Sequence, residues 1–230
     1  MKLNVHERGD GPKTALLIHG GMSDHRTWHA VEDALIERGY RVVAPDLRGH
    51  GLSPRGEYRA ELLGDDLAEN LPEGADLAIG HSLGGLSLSL AVERLRPGKA
   101  VYSDPGFTLD AVPAEAMAFM KRMVTTSTED SVKTMNPRWS QADVEAELAG
   151  FALFDPTFLD GVSGFDGDYL PRGAVVPSMV QLADPSLTIK PDTADELARR
   201  GFEIRTVKGA GHCVHRDDFA GFMASLEGWI

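Results

Sequence analysis

Cysteine is almost absent from this sequence: Cys213 is the single one in 230 residues, which excludes an internal disulfide. No apolar run reaches transmembrane length, and residues 1–8 lack the apolar core of a signal peptide. Acidic residues outnumber basic residues by 35 to 23, and the resulting formal net charge of −12 disfavours nucleic acid and anionic membranes as partners. No Cys/His cluster has metal-ligand spacing. We therefore expect a cytoplasmic protein that uses no metal and no other cofactor.

Apolar residues, in contrast, make up 42% of the chain, enough for a sizeable core. Short apolar runs alternate with amphipathic stretches, which is typical of a parallel sheet covered by helices. The predicted strands are residues 14–18, 41–45, 77–79, 99–103, 175–182 and 202–207, with a weaker edge strand over 2–8. The predicted helices outside the middle of the chain are residues 24–38, 62–71, 83–96, 191–200 and 219–230.

The alternation of strands and helices stops over residues 107–170. Helical pieces replace it, one over residues 113–124 and another that begins with a capping box at Ser140. We interpret residues 107–170 as a helical cap (lid) inserted into a core formed by residues 1–106 and 171–230.

Bulky apolar residues in this insertion, together with Met22 from the loop after residues 14–18, are candidates to line a substrate pocket, because pockets are often built under such segments. Most of those in the insertion could instead simply pack the cap against the sheet. The pocket candidates are Met22, Trp139, Phe151 and Phe154, with the helix methionines as further possibilities. They favour a small-molecule substrate with an apolar portion. Trp139 could equally face a second copy of the chain, so a monomer and a homodimer are both compatible with the sequence.

Residues 80–84 read Gly-His-Ser-Leu-Gly and fit the pattern G-x-S-x-G between an apolar strand and a helix. A serine on such a turn is a nucleophile elbow. Glycine at positions 80 and 84 removes Cβ atoms that would clash in the crowded turn. The turn lifts the Ser82 hydroxyl above the end of the strand. It also directs the Leu83 N–H, at a helix N-terminus, toward a developing oxyanion.

Two more loops follow predicted strands, where the ligand sites of open α/β sheets lie. Residues 19–21, His-Gly-Gly, allow a backbone N–H to face inward, so Gly21 is the second candidate oxyanion donor and Met22 the alternative. His212 lies in a glycine-flanked loop after the last strand and is the candidate general base. The chain thus offers Ser82, an aspartate and His212 in that order, each just beyond a strand.

These motifs resemble those of the α/β-hydrolase superfamily, and in particular its small, capped esterase/lactonase branch. The resemblance rests on residues 19–21, 46–53, 80–85 and 209–212 and covers essentially the whole chain. It implies an α/β fold with a mostly parallel sheet, helices on both faces, a cap inserted after the sixth strand, and a Ser-His-Asp triad. Serine at the elbow argues against dehalogenases and epoxide hydrolases, which resemble this fold but attack with a carboxylate.

The aspartate of the triad has two candidates. Asp184 follows the strand before the last helix–strand pair, which is the usual place in the family, although the loop before it is short. It precedes His212 by 28 residues, which leaves room for one helix and one strand. Asp104 is the alternative, since some family members carry the acid after the sixth strand. We favour Asp184 over Asp104.

In this scheme His212 activates the Ser82 hydroxyl, and the aspartate orients His212 and stabilises its charged form. The N–H groups of Leu83 and Gly21 hold the oxyanion. We expect a serine hydrolase that cleaves a carboxylic ester or lactone through an acyl-enzyme. The alternatives are C–C bond hydrolysis, lyase or cyclase chemistry with the same triad, and a ligand-binding, receptor-like homologue.

Overall fold

The computed structural model describes residues 1–107, 114–162, 165 and 167–230. The strands in these ranges are β1 (Val5–Arg8), β2 (Lys13–Ile18), β3 (Tyr40–Pro45), β4 (Leu77–His81), β5 (Ala100–Ser103), β6 (Ser178–Leu182) and β7 (Glu203–Thr206). They form one sheet in the order β1-β3-β2-β4-β5-β6-β7. β1 is antiparallel to β3, and every other neighbouring pair is parallel. The prediction of a mostly parallel sheet is confirmed.

The helices of the described residues are α1 (His29–Ile36), α2 (Ala60–Asn70), α3 (Leu83–Leu95), α4 (Ala114–Thr126), α5 (Glu129–Met135), α6 (Gln141–Leu153), α7 (Phe158–Val162), α8 (Pro191–Arg199), α9 (Val214–Asp217) and α10 (Phe219–Ser225). The helix predicted over 24–38 begins as a 3₁₀ turn that Asp24 caps. The last helix is shorter than predicted, since α10 ends at Ser225. In the described part of the chain, no helix is long and apolar enough to cross a membrane.

Helices cover both faces of the sheet, as expected. Successive side chains of a strand point to opposite faces, so Leu16 and Ile18 of β2 join one apolar core while Ala15 and Leu17 join the other. The first core also holds apolar residues of α2, α3 and α8, and the second holds those of α1 and α10. Burial on both faces explains why the central strands are continuous apolar runs in the sequence.

Helices α4 to α7 lie between β5 and β6, within the segment interpreted as a cap. They follow β5, the strand that is also followed by Asp104. The capping box predicted at Ser140 is present: the Ser140 hydroxyl accepts from the Asp143 backbone N–H, and the Asp143 carboxylate accepts from the Ser140 N–H. The helix start predicted at residue 113 lies outside the described residues. The exact division into core and cap stays a prediction.

Candidate active site

Ser82 occupies the turn between β4 and α3 with a left-handed φ of 51°. Such a backbone is costly for a residue with a side chain, and it persists only where the surroundings enforce it. The neighbouring glycines make the turn feasible. A Cβ on Gly80 would lie 2.4 Å from the Gly84 carbonyl oxygen, and one on Gly84 would lie 2.3 Å from the Ile18 carbonyl oxygen. The motif residues thus form a strained turn that presents a serine at the end of a central strand.

Three side chains form a hydrogen-bonded relay at this end of the sheet. The distance from Ser82 Oγ to His212 Nε2 is 3.0 Å, and that from His212 Nδ1 to Asp104 Oδ2 is 2.6 Å. Because an ionised carboxylate only accepts hydrogen bonds, His212 Nδ1 carries the proton and Nε2 accepts from the Ser82 hydroxyl. The relay therefore has the tautomer that a general base needs.

Asp104 is fully buried and has a left-handed φ of 40°. Its carboxylate also accepts from the Ser186 hydroxyl and from the backbone N–H groups of Ala183 and Leu187, the last two at 3.3 Å. Burial acts to raise its pKa. The hydrogen bond and charge of His212, together with the Ser186 hydroxyl, outweigh burial and hold the pKa below its usual value. Asp104 thus stays ionised beside His212.

The sequence-based preference for Asp184 as the partner of His212 is wrong. Asp184 is exposed, and its carboxylate accepts from the Gly209 backbone N–H at 3.3 Å. The sheet order supplies the reason, because β5 is hydrogen-bonded directly to β4 and brings Asp104 beside the serine turn. The short loop before Asp184, a departure from the family pattern, was the signal in the sequence.

The two candidate oxyanion donors lie in the wall of one cavity. Leu83 is the first residue of α3, and Gly21 belongs to the loop after β2. A Cβ on Gly21 would lie 3.8 Å from Leu83 Cδ2, so the two segments are in contact range. Met22, the alternative donor, has a left-handed φ of 64° and lines the same cavity. The structure brings all three residues to Ser82, and their roles as donors stay predictions.

The cavity has a volume of about 430 Å³ and opens beside Ser82 and His212. Met22 and Trp139 line it. Phe151 and Phe154, two further pocket candidates, do not: both are buried in the apolar core, where the Phe154 ring packs against His50 with centroids 4.8 Å apart. These two pocket predictions are wrong, because Phe151 on α6 and Phe154, the residue that follows α6, both pack into the apolar core.

Other apolar residues take their place in the cavity wall. They are Met120 and Met123 of α4, Met135 of α5, and Phe158, Leu159 and Val162 of α7. Sequence reasoning missed α7 altogether. Its five residues are too few to show a helical period, so no clear signal for it existed in the sequence.

Two groups close to the relay are held in an uncharged form. Burial lowers the pKa of His81 to about 3, and its Nε2 donates to the His212 backbone carbonyl at 2.9 Å. Burial raises the pKa of the Cys213 thiol to about 11. Cys213 therefore stays a protonated thiol and is a poor nucleophile. His81 instead holds the backbone of His212 in place.

Among the described residues, one cluster has the composition of a metal site: Asp24, His25 and Asp46. Its atoms already have protein partners. The Asp24 carboxylate is paired with Arg26, and Asp46 accepts from His25 Nδ1 at 2.7 Å and from Asn4 Nδ2 at 2.8 Å. The cluster braces the loop after β3 and offers no separate site for chemistry.

A family model described as the alpha/beta hydrolase family matches residues 15–224. A pyrethroid hydrolase of Sphingobium wenxiniae is 28% identical over 206 residues, which cover 82% of this chain and 66% of that protein. The lipase LipV of Mycobacterium tuberculosis is 30% identical over 166 residues, 69% of this chain and 59% of LipV. The chain thus matches about two thirds or less of these relatives' own lengths.

The fold is shared with solved structures as well. The structure of an N-formylmaleamic acid deformylase from Pseudomonas putida superimposes with a TM-score of 0.79 at 22% identity. The match covers 98% of this chain and 96% of the other. At this level of identity the likeness shows the fold alone.

Proposed function

Because this chain belongs to the α/β hydrolase family, we propose that it is a serine hydrolase that cleaves a carboxylic ester or lactone through an acyl-enzyme. The observation that carries the proposal is the relay from Ser82 through His212 to Asp104 at the wall of an apolar cavity. The names of the two relatives, a hydrolase and a lipase, support this reaction class.

The proposed mechanism follows from the direction of the relay. His212 Nε2 takes the hydroxyl proton as Ser82 Oγ attacks the substrate carbonyl carbon. The N–H groups of Leu83 and Gly21 stabilise the oxyanion, each by about 3–4 kcal/mol. His212 then gives the proton to the leaving alcohol, and an acyl-enzyme forms. Water attacks this ester with His212 again as the base, which releases the acid and restores Ser82.

Asp104 stabilises the imidazolium that forms in both halves of the cycle, and it does so as a carboxylate. The Ser186 hydroxyl and two backbone N–H groups hold Asp104 in place, so it needs no reorganisation when His212 becomes charged. All the groups in this scheme belong to the chain itself, and it involves no cofactor.

The cavity supports a small substrate with an apolar portion. Its volume of about 430 Å³ lies within the range of small-molecule sites. Helices α4 to α7 contribute Met120, Met123, Phe158 and Leu159 to the wall. We propose that these helices act as a cap that determines which acyl or alcohol group enters.

Labelling with a fluorophosphonate probe tests the proposal. We expect the wild-type protein to be labelled and both Ser82→Ala and His212→Ala to lose labelling, because the probe reacts with an activated serine. Turnover of a p-nitrophenyl ester or a lactone should fall by about 10⁶-fold in Ser82→Ala. Ser89→Ala is the matched control, since its hydroxyl donates to the Leu86 carbonyl within α3 and should leave labelling intact.

The same experiment can contradict the proposal. Folded wild-type protein that is neither labelled nor active on any ester or lactone would exclude it. Product analysis in water enriched in heavy oxygen separates hydrolysis from lyase or cyclase chemistry. Hydrolysis incorporates the label into the acid product, whereas the other two reactions do not.

A further inference from the structure

The cavity wall is mostly apolar but contains one charged pair. Apart from histidines, Arg216 and Glu147 are the charged residues among the described residues that line the cavity. Arg216 Nη1 donates to Glu147 Oε2 at 2.7 Å, and the two side chains are 3% and 13% exposed. Burying two charges costs free energy even when they are paired. Because this buried pair lies in the wall of the cavity that contains Ser82, it is a candidate to bind the substrate.

The guanidinium of Arg216 has donors to spare. Its Nη2 contacts Cys213 Sγ at 3.2 Å, and sulfur is a weak acceptor. Its Nε is buried and has no hydrogen-bond partner among the described residues. The Trp139 ring covers one face of the guanidinium at 3.8 Å, and Trp139 Nε1 is itself held by Asp217. The group is thus fixed in orientation, and its donors are incompletely satisfied at the wall of the cavity.

The position of the pair relates it to the reaction. Arg216 lies in α9, four residues after His212. Glu147 lies in α6 and also accepts a long hydrogen bond from the hydroxyl of Ser23, at 3.4 Å, next to the candidate oxyanion loop. The pair therefore lies between the loop that carries the base and the loop that follows β2. Ser82, Arg216 and Glu147 all line the same cavity.

The charge balance of the pair selects the kind of acceptor. Glu147 already neutralises Arg216, and it raises the pKa of the guanidinium further, so Arg216 stays charged. A carboxylate on the substrate would set a second anion against the same cation, close to Glu147. An uncharged carbonyl oxygen in the cavity can accept a hydrogen bond from the guanidinium without this repulsion.

We propose that Arg216, held in place by Glu147, determines specificity by donating a hydrogen bond to a second, uncharged carbonyl oxygen of the substrate. This inference rests on the proposed function and names its substrate class. The substrates are esters or lactones that carry a ketone, amide or further ester group within an otherwise apolar skeleton.

Matched esters test the inference on both sides of the scissile bond. On the acyl side, p-nitrophenyl pentanoate is compared with p-nitrophenyl levulinate, which adds a ketone, and with mono-p-nitrophenyl succinate, which adds a carboxylate. On the alcohol side, pentyl acetate is compared with its analogue bearing a ketone at the penultimate carbon. In at least one pair we expect the ketone to raise kcat/KM by about tenfold in the wild-type protein.

The double variant Arg216→Met/Glu147→Gln removes both charges together, so that neither remains buried alone. We expect it to lose the preference for the ketone ester, measured as the ratio of kcat/KM within each pair. Arg94→Met/Asp65→Asn removes an exposed pair outside the cavity wall and should keep the ratio. Arg216→Lys keeps the charge but loses the planar set of donors, so its ratio should fall as well, even if the double variant does not fold.

The outcomes separate this inference from the proposed function. If turnover of the pentanoate depends on Ser82 but neither pair shows a preference for the ketone, this inference is overturned and the proposed function stands. A preference that survives in the folded double variant or in Arg216→Lys also overturns it, as does a higher kcat/KM for the succinate than for the levulinate. A complete lack of Ser82-dependent turnover contradicts the proposed function itself.

Discussion

The loops after β5 and β6 each carry an aspartate close to the end of the strand, and the two carboxylates have opposite surroundings. Asp104 is fully buried, adopts a left-handed φ and accepts hydrogen bonds from His212, Ser186 and two backbone N–H groups. Asp184 is exposed and accepts from the Gly209 backbone at 3.3 Å. Position after a strand is therefore not enough to identify the acid. The donors that converge on the carboxylate distinguish the two.

The loop after β6 contributes to the surroundings of Asp104. The donors that hold Asp104, apart from His212, all come from the loop after β6: the Ala183 N–H, the Ser186 hydroxyl and the Leu187 N–H. The loop after β6, from which the sequence analysis expected the acid, thus positions the carboxylate of Asp104 in the loop after β5. The two loops work as one unit, with one supplying the carboxylate and the other its hydrogen-bond donors.

The largest expected effect separates the two aspartates directly. Asp104→Asn should lower kcat for an ester substrate by about 10⁴-fold, because an amide cannot stabilise the His212 imidazolium or hold the correct tautomer. Asp184→Asn should keep activity within about twofold of wild type, as expected of a surface substitution outside the relay. Steady-state kinetics on one p-nitrophenyl ester measures both. Equal losses in the two variants would show that the observed relay is not the working one.

A smaller effect tests the link between the two loops. Ser186→Ala removes the hydroxyl that donates to Asp104, and we expect kcat to fall by about tenfold because charge-assisted hydrogen bonds contribute about 1.5–3 kcal/mol. KM should change little, since Ser186 is not one of the described residues that line the cavity. Ser186→Thr, which retains a hydroxyl, should recover part of the loss. Unchanged kcat in Ser186→Ala would mean that the loop after β6 does not position the acid.

The smallest effect concerns stability at acid pH. The pKa of Asp104 is lower in the folded protein than its ordinary value of 3.8, so the unfolded chain binds the proton first as the pH falls. Ionised Asp104 therefore stabilises the folded protein at pH values above 3.8. This contribution is lost as the pH falls through the pKa that Asp104 has in the folded protein. The free energy of unfolding in urea should drop more steeply from about pH 5 to about pH 3 in wild type than in Asp104→Asn. Parallel curves would contradict the ionised state of Asp104.

Much of the fold was predictable because apolar runs mark buried strands. The runs at 14–18, 77–79 and 99–103 all became central strands, and the mostly parallel sheet with helices on both faces is confirmed. The α/β-hydrolase fold implied by the resemblance is confirmed by the family match and by the solved structures. The pocket was harder to predict. Phe151 and Phe154 are as apolar as Phe158, and composition alone does not say which face of a helix meets the cavity.

Local sequence by itself determined the serine turn. Gly80 and Gly84 are needed because carbonyl oxygens crowd the places where their Cβ atoms would be. The five consecutive residues 80–84 meet this requirement, so the turn can be predicted from them alone. The position of His212 in a glycine-flanked loop after the last strand was also readable from the local sequence. Only the tertiary structure decided that Asp104 meets His212 and that Asp184 does not. That choice depends on strand order and on donors from a loop about 80 residues away. The local sequence around the two aspartates offered only the short loop before Asp184 as a hint.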